Sequence, residues 1–480
     1  MTRSLSCAFA VLALLALTGA NRPTTLPARS VYEADGADSV GTLSPIDRWV
    51  RANLAGNGLR PAPPASEEVF IRRAYVDMVG AIPTADQVAA FAADRRPDKR
   101  ARLIDALLND PRFIARWTSK WCDLLRVKAE FPINLWPNGV HAYQRWIRDS
   151  VANNTPYDRF ARELLTASGS NFRAPAVNFY RAVQSREPAN LAAAAALTFM
   201  GVRIEKWPAE RRRGLEALFS RVLYKPTAEW KEEIVMLNPA VFEPLQAVLP
   251  DGKSVVVRPG QDPRRAFADW LLASDNPWFA RAAANRAWSW LLGRGIVHEP
   301  DDLRDDNPPV NPELLAYLEG ELRRSGYDLK HLFRVILNSR TYQQSSIPAD
   351  GIDLAAAQKH FACYITRRVE AETLSDVLDG LFGSPEGYVS PIPEPFTYVP
   401  AYLPAIELAD GSITSPMLDL LGRSPRDTGL ESERDQEPNA RQRLHLLNSS
   451  QVQNKIARAP IIREWMARSR GDDVRLVEFV

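Results

Sequence analysis

The residues of this chain best able to do chemistry lie in one run, DPRRAFADWLLASDNPWFARAAANRAWSWLLGRGIVHEPDDLRDDNPP, from Asp262 to Pro309. On a helix through its centre, Phe279, Ala283, Arg286 and Trp290 share one face. Arg286 thus sits on an apolar stripe, where a guanidinium needs an anionic partner. The loop that follows, HEPDDLRDDNPP, supplies Asp301, Asp302, Asp305 and Asp306. The first candidate cluster is therefore built on Arg286 with Asp301, Asp302 and Asp306. It supports two readings. One is a buried ion pair, Arg286 with Asp301 or Asp302, pinning loop to helix. The other is a polar pocket for a ligand, or for a hard cation such as calcium held by the carboxylates.

A second set lies in GRSPRDTGLESERDQEP (Gly422–Pro438), where Arg426, Glu431, Glu433, Arg434 and Glu437 crowd a segment without periodicity. Two carboxylates at the right separation can act as acid and base on a glycosidic bond. The alternative is a solvated charge run.

Other chemistries find no support. The five histidines, His141, His298, His331, His360 and His445, are scattered without metal-ligand spacing. No phosphate loop, nucleophile elbow or dinucleotide fingerprint appears. Covalent haem requires two neighbouring thiols with an adjacent histidine. The three cysteines, Cys7, Cys122 and Cys363, are far apart, so no haem and no other cofactor is expected. Cys122 reads as a small buried hydrophobe on a helix.

The elements that must position these residues read as helices. The 480-residue chain is long enough for two or three domains, with 45% hydrophobic and 25% charged residues and a net charge of +2. That balance argues against a nucleic-acid partner. Prolines (37) outnumber glycines (24), which favours short helices broken by stiff loops. The first 20 residues have the form of a signal peptide: Arg3, an apolar core from Ala8 to Leu17, then Thr18-Gly19-Ala20. That core is too short to span a bilayer, and no later stretch is suited to it. The spacing then predicts a linker over 21–43, a first helical domain over 44–223 and a β-containing insert over 224–260 with a turn at Asp251-Gly252. A second helical domain follows over 261–480, with helices over 358–383 and 437–456 and a long Pro/Gly-rich loop over 384–437. The expected fold class is mainly α.

Three stretches carry a family resemblance: RWTSKWCDLLR (Arg116–Arg126), YQRWIRDSVANNTPYDRFARELL (Tyr143–Leu165) and the run from Asp262 to Ser346. The last includes an Asn-Arg-x-Trp element and an aspartate pair, here Asn285, Arg286, Trp288, Asp301 and Asp302. The chain resembles exported planctomycete proteins that pair two adjoining domains of unknown function, often joined to a cytochrome-c-like module. Many of them carry a C-x-x-C-H motif after the segment matching LTFMGVRIE; here Met200–Glu205 runs directly into KWPAERRRG. Proteins of this kind usually continue with more helices beyond the position matching Val480, where a further segment could complete a site. The resemblance implies export to the periplasm, cell envelope or exterior, and a secreted protein partner. Two functions follow as expectations. The first is a non-catalytic binding or assembly component, engaging a secreted protein or an extracellular polymer. The second is a hydrolase of such a polymer using the loop carboxylates. An accessory role in envelope electron transfer is less favoured without the haem motif.

Overall fold

A computed structural model describes residues 43–469. The expected signal peptide and nearly all of the linker lie outside the described residues. The first half folds as helices α1 (Pro45–Gly56), α2 (Glu67–Val79), α3 (Ala85–Ala93), α4 (Lys99–Leu108), α5 (Pro111–Leu124), α6 (Trp136–Ala152) and α7 (Tyr157–Thr166). The short α8 (Asn178–Arg181), then α9 (Pro188–Met200) and α10 (Ala209–Ala217), complete it. Local chemistry sets the boundaries. Ser66 accepts from the Val69 amide, Thr84 and Gln87 form a capping box, and Gly80 ends α2 at φ 61°.

The β portion is small and antiparallel. Strand β1 (Gly169–Ser170) and strand β2 (Val222–Pro226) flank β3 (Glu233–Leu237), while β4 (Leu245–Val248) pairs with β5 (Ser254–Val257). The β4–β5 hairpin turns at the expected Asp251-Gly252, where Gly252 takes φ 86°.

Helices α11 (Pro263–Leu271), α12 (Phe279–Leu292), α13 (Pro312–Arg324), α14 (Leu329–Leu337) and α15 (Arg340–Gln343) follow. After them come α16 (Leu354–Lys359), α17 (Ala371–Phe382), α18 (Pro416–Leu420), α19 (Ala440–Asn448), α20 (Ser450–Arg458) and α21 (Pro460–Ser469). The fold is mainly α. Two expected helices are split. The one over 358–383 breaks between Lys359 and Ala371, where Phe361 takes φ 60° and Arg367 binds Asp77 (2.8 Å) and the Trp290 carbonyl (2.8 Å). The one over 437–456 breaks at Ser449, which caps α20 through the Val452 amide.

Helix α12 is buried all round rather than along one stripe. It crosses the first half, and Trp290 packs 5.5 Å from Trp117 and 5.9 Å from Trp121, ring centre to ring centre. One buried apolar cluster consequently runs from Ile46 to Ile392 through both halves. A second, smaller cluster (Ala371, Ala405, Leu408, Ile413, Met417, Leu418, Leu421) lies under the segment 384–437. That segment was expected as a loop without assignable structure. It folds around α18, two 3-10 turns (Ala405–Glu407 and Glu431–Glu433) and this private core.

Candidate functional site

The two candidate sets meet. Arg286, 1% exposed, donates to Asp301 Oδ1 at 2.8 Å and to the carbonyls of Leu197 and Thr198 at the end of α9. The other oxygen of Asp301 accepts the Glu431 amide at 2.8 Å. The Glu431 carboxylate accepts from the Trp290 indole and from Lys120 Nζ (3.3 Å). The α12 cluster and the distant 422–437 segment are thus joined through one aspartate and one glutamate.

From Lys120 the contacts continue inward. Arg116, Lys120 and Asp123 follow one another at helical spacing along α5. Arg116 makes a two-pronged bond to Glu370, and Lys120 lies 3.2 Å from the same carboxylate. Arg434 donates to Asp123 at 2.6 Å and to Glu372 at 2.5 and 3.0 Å. Arg423 reaches Glu372 at 3.2 Å, and Arg426 reaches Asp123 at 2.9 Å. These side chains are between 1% and 17% exposed, so the charges are almost fully withdrawn from water.

Electrostatics decides their state. Burial by itself would raise the Glu370 carboxyl, yet Arg116, Lys120 and Arg434 together hold it well below the usual range. The same contest leaves Glu372 at about 2, with Arg434 and Arg423 outweighing desolvation. Burial works against the Arg434 cation, but Asp123, Glu372 and Glu370 keep it well above its ordinary value. Glu370, Glu372 and Arg434 are thereby held in their charged forms, and each carboxylate is matched by at least one cation.

The remaining candidates are distributed as follows. Asn285 accepts the Val297 amide (2.9 Å) and donates to the Val297 carbonyl (3.0 Å), clamping the end of its loop to α12. Trp288 is fully buried, edge-on to Phe361, and belongs to the core rather than to a polar cluster. Asp302 and Asp306 do not join Asp301. They pair with Arg304 at 2.8 and 3.2 Å near the surface, because successive loop residues cannot all face inward. Glu433 folds back onto the Thr428 amide at 2.6 Å and shapes its own turn. Glu437 is exposed, its amide taken by Asp435.

In this arrangement Asp301 faces Arg286, while Asp302 and Asp306 face Arg304. Among the described residues no group of three or more His, Cys, Asp or Glu side chains is placed to hold a metal ion. Cys122 is a buried thiol in no disulfide, pushed by burial up to about 12, and so is not bonded to Cys363.

Sequence reasoning missed Glu370, Glu372, Arg423 and the α5 set. A signal existed for α5: three ionic side chains at helical spacing beside two tryptophans are unfavourable unless partners come from elsewhere. No comparable signal marked Glu370 and Glu372, which look like ordinary acids at a helix start.

The described arrangement can hold four distant segments in register. Each inner carboxylate faces at least one cation.

The comparisons agree with the order of the halves. The family PSCyt2, a protein of unknown function (DUF1549), matches residues 45–205. The family PSD1, a protein of unknown function (DUF1553), matches residues 263–467. No curated protein and no solved structure matches the chain. The chain therefore belongs to the proteins that carry these two domains of unknown function in tandem, PSCyt2 first and PSD1 second.

Proposed function

We propose that this protein is an exported, non-catalytic binding or assembly component of the cell envelope, acting with a second secreted protein. The observation that carries the binding role is an aromatic surface. Trp136 lies 6.4 Å from Trp230 and 5.6 Å from Phe396, ring centre to ring centre. Trp230 is 64% exposed and Phe396 49%. Phe131 is exposed on the loop that leads into α6 at Trp136, and Tyr398 and Tyr402 are exposed on the loop that carries Phe396. Those loops are tied together where Asp410 and Ser412 accept the Ala129 and Glu130 amides at 2.9 and 3.0 Å. Large rings left in water on a stiff support are the usual anchors of an interface. Export rests on the leader pattern ending at Ala20.

The hydrolase reading draws on one fact, the contact of Asp301 with Glu431. Against it, acid–base catalysis needs titratable groups near the working pH and open to substrate. Here the inner carboxylates are ion-paired and Asp302 and Asp306 are tied to Arg304.

The test joins a screen of glycan, sulfate-ester and peptide substrates with retention of the purified protein on envelope fractions. We expect no turnover, and retention that falls at least tenfold in Trp230→Ser/Phe396→Ser. Turnover that disappears in Asp302→Asn or Glu433→Gln would replace the binding role with the hydrolase. Retention unchanged in the double variant would remove the aromatic surface from the argument.

A further inference from the structure

Six rings, Phe113, Trp117, Trp121, Tyr157, Phe160 and Phe333, line a slot of about 40 Å³ where α5, α6 and α7 meet the start of α14. Trp117 stacks on Phe333 at 4.2 Å and Trp121 packs 5.2 Å from Phe160, ring centre to ring centre, so the walls brace one another. Two cationic or polar donors of this lining lack an acceptor. Trp117 is 3% exposed, and its indole N–H has no hydrogen-bond partner. Lys330 also lines the slot; its Nζ lies 4.8 Å from the centre of Phe113 and makes no ion pair among the described residues.

The charges around Lys330 are already spent. Asp328 accepts the His331 amide and the Asn154 side chain through one oxygen, at 3.0 Å each. Arg334, a like charge, is bonded to Asp105 at 2.6 Å. Burial accordingly draws the Lys330 ammonium below its ordinary value, although Asp328 works the other way. Lys330 is also the second residue of α14, where the positive end of the helix favours an anion. The volume then selects the rest of the ligand. One water-sized group takes about 10–15 Å³, so the slot accepts about three or four heavy atoms. A six-membered ring exceeds that space, whereas a short aliphatic chain fits it and suits the aromatic walls. A carboxylate at the head of such a chain brings two acceptor oxygens, the group that both donors lack.

We propose that this slot binds a short aliphatic monocarboxylate, its tail among the six rings and its carboxylate held by Lys330. The site goes beyond the envelope-binding role and does not depend on it, since none of its residues belongs to the exposed aromatic loops.

The test titrates the full chain and Lys330→Gln with butyrate, acetate, butyramide and benzoate, by calorimetry and by saturation-transfer NMR. Circular dichroism and melting serve as controls for folding. We expect butyrate to bind saturably at millimolar concentrations, with its methyl protons receiving magnetisation from aromatic protons of the protein. Acetate lacks two methylenes of the tail and should bind about tenfold more weakly. Butyramide lacks the charge and should also bind about tenfold more weakly, as should butyrate to Lys330→Gln. Benzoate has the charge but not the shape, and should bind about tenfold more weakly than butyrate or not at all. Absence of saturable butyrate binding to the unaltered chain would overturn the proposal. So would equal binding of butyrate to folded Lys330→Gln, or binding of acetate, butyramide or benzoate as tight as that of butyrate.

Discussion

Replacing Glu372 by Gln tests whether the buried charge network holds the 422–437 segment to the helical body. The change keeps the shape and removes one negative charge from a side chain that is 2% exposed. Arg434 then loses its 2.5 and 3.0 Å bonds to that charge, and Arg423 its 3.2 Å bond. Asp123 still serves Arg434 at 2.6 Å, but Arg423 retains only the backbone carbonyls of Asp410 and Ile413. Stranding a buried charge costs about 3–5 kcal/mol. The displacement of the Glu372 carboxyl from its ordinary 4.5 to about 2 corresponds to about 3 kcal/mol, the same order. At about 2 °C per kcal/mol for a large single-core body, the melting temperature should fall by about 6–10 °C. The sign with pH follows from the depressed value. The contribution is complete above the unfolded value near 4.5 and is lost as pH falls through about 2, so the variant should show a flatter acid limb. Urea unfolding at several pH values reads both effects, and a cycle with Arg423→Met reads the coupling, expected at about 1 kcal/mol or more. An unchanged melt, or strictly additive single changes, would refute the reasoning.

Arg286→Met should cost about 3–5 kcal/mol in urea unfolding because Asp301 is stranded, whereas Asp302→Asn should change stability by less than about 1 kcal/mol because its Arg304 pair is near the surface. Asp376 receives the Ala405 and Ile406 amides, but burial, with Asp379 and Glu372 nearby, lifts its carboxyl to about 7. A raised value means stability that is full below the unfolded value near 3.8 and is lost as pH rises through about 7. Melting should therefore decline between about pH 4 and 7 in the native chain, and this slope should vanish in Asp376→Asn. Cys122, buried and raised to about 12, should resist a thiol reagent at pH 8 until the chain is unfolded.

Much of the architecture was legible because helix ends are local. Ser66, Thr84 with Gln87, Asp110-Pro111, Asn311-Pro312 and Asp328 announce starts through side chains that bind amides two or three residues on. Gly80 and Gly293 announce ends through a left-handed backbone. The Arg286–Asp301 pair was legible as well, since a guanidinium on a hydrophobic helix needs a carboxylate and one followed within fifteen residues. By itself the sequence determined these elements, the mainly helical class and the order of the two halves. Tertiary structure alone decided which of four successive loop acids turns inward, that Glu370 and Glu372 lie among four cations, and that Glu431 reaches Asp301 across 130 residues. It also decided that α12 is enclosed on every side, so that an amphipathic stripe became a central helix. The physical reason is range: a cap or a turn is complete within one helical turn, whereas a charge in a dry interior takes whichever partner the packed halves bring within about 4 Å.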